Sequence, residues 1–311
     1  MKVVKARCES EELLTFRSLN LRMSLSPSDA HYYSNLEKGY IGELAFDRLA
    51  EAHLSDDWLA VNDLLLEHHN RVFQIDSVLV RNGRMFLNDV KNFDGDYMMK
   101  DGLWYTASGN EVDDPLEQLD RCESRLRRLS HELGFSYPIE SRLVFVNPEF
   151  YLYQAPLNLP IIFPAHLKRY MNTLKMKSGK LNERDVKLAQ KLASLHKKKS
   201  PFTRVPPYTY EQLKKGPACF CGRVFMKVHN RETLVCSVCE RVEPVELAVL
   251  RNVAELKRLF PDLKITTFVV QDWCKILSIK TIHRILIRNF EQVGKTKDVY
   301  YIVSDEKKIK T

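Results

Sequence analysis

Residues 74–92, QIDSVLVRNGRMFLNDVKN, decide how the N-terminal half of this chain is read. The stretch is apolar on both sides of Asn82-Gly83, yet it carries Asp76, Asp89 and Lys91. Asn-Gly is a favoured two-residue hairpin turn because both central residues take positive φ. With the turn there, Arg81 faces Arg84 and Asp76 falls directly opposite Asp89. Opposed residues of an antiparallel pair share a face, and the alternation of side chains puts Lys91 on it too. Opposed Cβ atoms lie ~4.5–5.5 Å apart, where like charges repel. Two carboxylates at that spacing suit a hard divalent cation such as Mg²⁺. A lysine one pleat along can orient or help deprotonate a metal-bound water, or stabilise charge developing on a phosphate. The structural alternative is that Lys91 neutralises a carboxylate at a sheet end, and the hairpin alone leaves both open. A one-residue slip of register would separate the aspartates.

Outward from the hairpin, residues 35–53 carry Leu36, Tyr40, Leu44 and Leu49 at helical spacing. The run WLAVNDLLLEHH suits a strand, and NFDGDYMMKDGLWY holds turn signals and room for one more short strand. DDPLEQLDRCESRLRRLSHELG has Pro and acids at its start and Gly at its end, as a helix should. SRLVFVNP reads as a buried strand. Helix, three strands, helix, strand is the order of a mixed sheet flanked by helices, an α/β fold. His68-His69 suggest a metal pair, but neighbours in a strand point to opposite faces, so they are expected to be strand-end or loop residues.

The segments EKGYIGELAFDRL, FQIDSVLV, NDVKN and DPLEQLDR, in that order, resemble the nuclease-related domain (NERD) family of the PD-(D/E)XK nuclease superfamily. The resemblance covers residues 30–150 and implies a restriction-endonuclease-like αβββαβ core. It implies that Glu43 on the first helix binds or orients metal and that Asp76 is the metal-binding aspartate. Asp89 and Lys91 match the acid-x-lysine pair, with Asp where the family often has Glu. Gln118 matches a polar residue lining the site. The implied cofactor is Mg²⁺ or Mn²⁺, held by Glu43, Asp76, Asp89 and the Val90 carbonyl, and the implied activity is phosphodiester hydrolysis in DNA. The alternative is a non-catalytic nucleic-acid-binding or regulatory protein on a nuclease fold. Glu43 as a solvated helix-face acid and Gln118 as an exposed glutamine are the bland readings of those two positions.

The whole chain has 311 residues and a net charge of +8. That length suggests two or three domains. Between Lys168 and Arg204 stand twelve Lys or Arg against Glu183 and Asp185, so the remainder is slightly acidic. Such a localised basic stripe, ending in Lys197, Lys198 and Lys199, fits a polyanionic partner or a solvated helical linker. No apolar run reaches the ~20 residues of a membrane span, and the charged start lacks a secretory core, so a cytoplasmic protein is expected. Seven cysteines without an export signal argue against disulfides.

Cys219-x-Cys221 and Cys236-x-x-Cys239 stand fourteen residues apart around two β-prone runs. Four thiolates on two knuckles suit a structural, tetrahedral Zn²⁺ and a zinc ribbon, with a redox pair as the alternative. Helices are expected near 246–259, 267–276 and 279–290, followed by a hairpin at GKTKD. This order is similar to a winged helix-turn-helix, with Lys280, Arg284 and Arg288 on the second helix of the pair and Lys295 and Lys297 at the wing tip. A helical protein-interaction domain is the alternative. The expected organisation is 1–160 nuclease-like with an N-terminal helical extension, 161–212 basic helices and linker, 213–245 zinc ribbon, and 246–311 winged-helix-like. Nothing in the sequence identifies protein partners or the oligomeric state.

Overall fold

The computed structural model describes residues 1–177, 179–201, 203–275, 277–295 and 298–302. In chain order the elements are β1 (Lys2–Lys5), α1 (Glu11–Arg22), α2 (Pro27–His53), β2 (Leu59–His68), β3 (Arg71–Arg81), β4 (Arg84–Lys91), β5 (Gly95–Lys100), β6 (Leu103–Thr106), β7 (Glu111–Val112), α3 (Pro115–Glu132), β8 (Ile139–Phe145), β9 (Phe150–Tyr153), β10 (Ile161–Ile162), α4 (Leu167–Met176) and α5 (Glu183–Ser194). Then follow β11 (Lys227–Val228), β12 (Thr233–Val235), β13 (Val242–Pro244), α6 (Val245–Leu259), α7 (Thr267–Cys274), α8 (Ile279–Asn289), β14 (Glu291–Val293) and β15 (Tyr300–Ile302). The fold is mixed α/β, and α2-β2-β3-β4-α3-β8 is the expected helix–three strands–helix–strand order.

The four segments marked in the sequence are gathered into two compact units. One holds Met1–Glu9 and Asn35–Phe202, the other Ser10–Ser34 and Thr203–Thr311. The reason lies in amphipathic faces. Tyr170, Met171 and Leu174 of α4, and Leu188, Ala189 and Leu192 of α5, are buried with the sheet, so the basic helices belong to the first unit and are not a detached linker. Leu19 of α1 is buried instead with α6, α7 and α8 in the second unit.

The first unit is built on a six-stranded sheet of order β1-β2-β3-β4-β8-β10. The central β2-β3-β4 ladder is antiparallel, while β4-β8, β8-β10 and β1-β2 are parallel. Alternation divides the side chains: Val78, Val80, Met85 and Leu87 pack with α3 and α5, whereas Leu79, Phe86 and Val90 pack with α2 and α4. Both faces are thus covered, as the near-continuous apolar strands require. Asn82 and Gly83 have φ of 47° and 69°, the turn pairs Arg81 with Arg84, and the ladder runs to Ser77 opposite Asn88. The turn is tied down from α5, where Asp185, the buried side of a capping box with Asn182, accepts from the Gly83 N–H.

Two features of this unit position its site. A Cβ on Gly42 of α2 would stand 2.6 Å from Asn92 Cβ, so only glycine lets α2 approach the end of β4 this closely. Asn92 returns the contact by donating to the Lys38 carbonyl at 2.7 Å. At the other end of β2, His69 and Asn70 take φ of 48° and 59° and form a second two-residue turn that pairs His68 with Arg71.

In the second unit β11-β12-β13 form an antiparallel sheet around the four cysteines. Helices α6, α7 and α8 share one core with Trp273 and Tyr301, and β14 pairs antiparallel with β15. Tyr301 also bridges to Ile265. At the centre of this unit Arg22 is fully buried. Its guanidinium binds Glu255 at 2.6 and 3.0 Å and the Lys214 carbonyl at 2.8 Å, and stacks 3.9 Å from the Trp273 ring centroid.

Candidate active site

The acids of the hairpin lie where its ladder opens. Beyond Ser77–Asn88 the Val90 N–H is taken by the Asp76 carboxylate at 2.8 Å. Asp89 and Lys91 fall on the α3 face by alternation, and α3 contributes Gln118, whose Oε1 accepts from Lys91 Nζ at 3.0 Å. Lys91 Nζ stands 2.7 Å from Asp89 Oδ1 but off the hydrogen-bond direction. Neither oxygen of the buried Asp89 carboxylate accepts a well-directed hydrogen bond among the described residues. A buried, unsatisfied carboxylate is costly unless a cation meets it.

Burial and the charge of Asp89 push the Asp76 carboxyl up to about 6, against the pull of Lys91 and the Val90 N–H. For Lys91 burial opposes the charged form, but Asp89 and Asp76 outweigh it and hold the ammonium above its usual value. Burial, with Asp89 and Asp76 nearby, pushes the Cys122 thiol up to about 11, so that cysteine is a packed thiol with no nucleophilic character. All three shifts have one origin: two acids confined in an apolar setting with a single ammonium.

Glu43 does not join this cluster directly. The carboxylates of Glu43, Asp76 and Asp89 do not all close to within 4.8 Å of one another. Glu43 is one helical turn from Asp47 on α2, and Arg7 binds both. The same guanidinium donates to the Asp76 carbonyl at 2.7 Å, and its side chain is 2% exposed. Burial and Asp76 push the Glu43 carboxyl up to about 8 even with Arg7 beside it. Burial disfavours the Arg7 charge, but Asp47, Glu43 and Asp76 raise its pKa above the usual arginine value. Arg7 has no motif in the sequence to announce it. Asp47 had one: it lies four residues after Glu43 on the same helix face.

Asp76 and Asp89, with the Val90 carbonyl between Asp89 and Lys91, form an oxygen-donor set of the kind a hard divalent cation takes. The Asp89 carboxylate, ion-paired with Lys91 but without a well-directed hydrogen bond, fits such an ion, and Glu43 is within electrostatic reach but engaged by Arg7.

The Cys219 and Cys239 sulfurs are 3.6 Å apart, and those of Cys221 and Cys236 3.8 Å. A tetrahedron of four sulfurs with ~2.3 Å bonds has edges of ~3.8 Å. The four are free thiols and the group is compatible with structural zinc. The N–H groups of Val238 and Cys239 point at Cys236 Sγ, both at 3.4 Å. Against the effect of burial, these bonds lower that thiol to about 6.

Lys197, Lys198 and Lys199 are exposed beyond the end of α5, but Lys197 is ion-paired with Glu67. On α8, Lys280 and Arg284 are exposed opposite the buried Ile282, Ile285 and Leu286, while Arg288 is paired with Glu246 at 3.1 Å. Lys295 is exposed, and Lys297 lies outside the described residues. His68 ends β2 and His69 lies in the turn, as expected of strand-end or loop residues, but the left-handed turn at His69 swings both rings onto one partner, Glu132, and not to opposite faces.

Residues 38–146 match the family model described as the nuclease-related domain (NERD). The chain therefore carries a NERD domain, and the matched stretch contains Glu43, Asp76, Asp89, Lys91 and Gln118. No curated protein and no solved structure gives a significant match. Among the described residues no helix is long and apolar enough to cross a membrane.

Proposed function

We propose that the chain is a metal-dependent nuclease hydrolysing phosphodiester bonds in DNA, of the PD-(D/E)XK type. The observation that carries this is the buried Asp89 carboxylate without a well-directed donor, beside Asp76, Lys91 and Gln118, within a nuclease-related domain. Asp76, Asp89 and the Val90 carbonyl would hold Mg²⁺ or Mn²⁺, with Glu43 as an outer carboxylate oriented by Arg7. When bound, the ion lowers the pKa of a water and stabilises charge on the phosphate. Burial opposes the Lys91 charge, but Asp89 and Asp76 favour it, and Gln118 holds the side chain. Lys91 orients the attacking water or donates to a phosphate oxygen as charge develops. Gln118 fixes the Lys91 side chain in that direction.

Lys280 and Arg284 on α8, Lys295 at the hairpin, and Lys198 and Lys199 supply phosphate contacts in this reading. Lys197 and Arg288 contribute less, because each already faces a glutamate. The four-cysteine group holds a structural Zn²⁺, and a cytoplasmic setting keeps its thiols reduced.

The test incubates wild type and Lys91→Ala with supercoiled plasmid, linear duplex and single strands, with Mg²⁺, Mn²⁺ or EDTA. Metal-dependent cutting by wild type, lost in Lys91→Ala with DNA binding retained, is the expected result. Equal cutting by both proteins would sink the mechanism. The Arg7 guanidinium on Glu43 and Asp47 favours a second reading, a nucleic-acid-binding protein that has kept the nuclease fold without cutting. It gives a salt-sensitive gel shift and no cleavage with any metal.

A further inference from the structure

We propose that His68, His69 and Glu132 form a site for a borderline divalent transition metal of the Zn²⁺, Ni²⁺ or Cu²⁺ class, separate from the carboxylate site and from the cysteine group. The three residues come from the β2–β3 turn and the last residue of α3. Both imidazole Nε2 atoms converge on one oxygen, Glu132 Oε1, at 2.8 and 3.0 Å. Ligand atoms in adjacent positions around a six-coordinate ion with ~2.1 Å bonds stand ~3.0 Å apart. Each nitrogen therefore already stands at ligand spacing from the carboxylate oxygen, all three donors lie within 4.8 Å of one another, and a small outward shift of the carboxylate opens the centre.

The surroundings favour a cation there. Glu132 occupies the C-terminal end of an eighteen-residue helix, where the helix dipole opposes a negative charge and stabilises a positive one. Its ion-pair partners among the described residues are the two imidazoles, with no lysine or arginine to compete for the oxygen. Neutral imidazoles leave the carboxylate without a full counter-charge, which a dication supplies. His68 is buried at the strand end and oriented by it, while His69 is held by the left-handed turn. The rings meet edge to face with centroids 4.2 Å apart, which directs both Nε2 atoms to one point. Two nitrogens and one carboxylate select borderline ions over Mg²⁺. His69 and Glu132 are 75% and 52% exposed, so the remaining positions are open to water and the ion is exchangeable. Bound there, it links the β2–β3 turn to α3.

The test uses the full chain free of any histidine tag, with zinc already loaded and Mg²⁺ in excess. One equivalent of Cu²⁺ is added and its paramagnetic resonance spectrum recorded. The expected spectrum shows superhyperfine coupling to two imidazole nitrogens, which the all-oxygen carboxylate site does not produce. His69→Ala should reduce the coupling to one nitrogen or abolish it, and should weaken Cu²⁺ binding by on the order of 10-fold or more. Glu132→Gln should weaken binding while leaving both nitrogens coupled. His69 is exposed in a turn, so its substitution leaves the fold intact, which circular dichroism checks. A spectrum without two-nitrogen coupling, or one unchanged in His69→Ala, overturns the site. The outcome is independent of whether the chain cleaves DNA.

Discussion

Replacing Arg7 by Met takes one cation from a buried set of acids. The guanidinium is 2% exposed and binds Glu43, Asp47 and the Asp76 carbonyl. The methionine keeps most of the aliphatic volume, so lost packing is a small part of the effect. Breaking a buried pair from one side costs about 3–5 kcal/mol, because the partner charges stay buried without compensation. Here the cost depends on pH. Glu43 already has a folded pKa of about 8, far above its ordinary 4.5, and loses in Arg7→Met the neighbour that pulls it down. An acid whose folded pKa is raised binds its proton more tightly when folded, so its unfavourable effect is absent below the ordinary value. It grows as pH rises toward the folded one. Below about 8 Glu43 is protonated in both folded forms, so its share of the loss appears only above that value, and the variant should lose less at pH 6 than at pH 9. Mg²⁺ should restore part of the loss by meeting the freed carboxylates. Hydrogen exchange of β3 and β4 peptides, with and without Mg²⁺ at the two pH values, reads this in the first unit alone. A loss under about 1 kcal/mol, the range of an exposed pair, or an equal loss at both pH values, would refute the reasoning.

Gly42→Ala should destabilise the first unit by about 1–3 kcal/mol, because its Cβ would meet Asn92 Cβ at 2.6 Å and push α2 from the end of β4. A denaturation midpoint equal to wild type would show that the helix shifts freely. Cys239→Ser should abolish stoichiometric zinc and raise exchange in β11, β12 and β13, with β3 and β4 unaffected, as metal content and peptide exchange would report. Arg22→Met should cost about 3–5 kcal/mol in the second unit by leaving Glu255 unpaired, and retained protection of α6 would contradict it. Lys280→Ala with Arg284→Ala should lower DNA affinity and reduce the slope of affinity against salt by about 2, whereas an unchanged slope removes α8 from the interface.

Much of the nuclease-related half was legible because its signals are local. Asn82-Gly83 fixed a turn by φ preference, and with it the register from Arg81–Arg84 to Ser77–Asn88; the ladder opens before the expected Asp76–Asp89 pair, where Asp76 accepts from the Val90 N–H. Helix caps and Gly134 bounded α3, which carries Gln118 to Lys91. The cysteine spacing foretold four convergent sulfurs. The domain boundaries were less legible, because which amphipathic face meets which core is not a local property. Residues 10–34 read as an extension of the nuclease-like part, yet Leu19 and Arg22 are buried in the second unit.

By itself the sequence determined the register of the hairpin, the helix and strand order and the thiol group, since sterics and periodicity act over a few residues. Only the tertiary structure decided that Arg7 meets the Asp76 carbonyl across 69 positions and binds Glu43 as well. It also decided that His68 and His69 meet Glu132, more than sixty positions away. Such pairings arise from the burial of charge: once packing removes water from a carboxylate, the nearest cation or imidazole must replace it, wherever it stands in the chain.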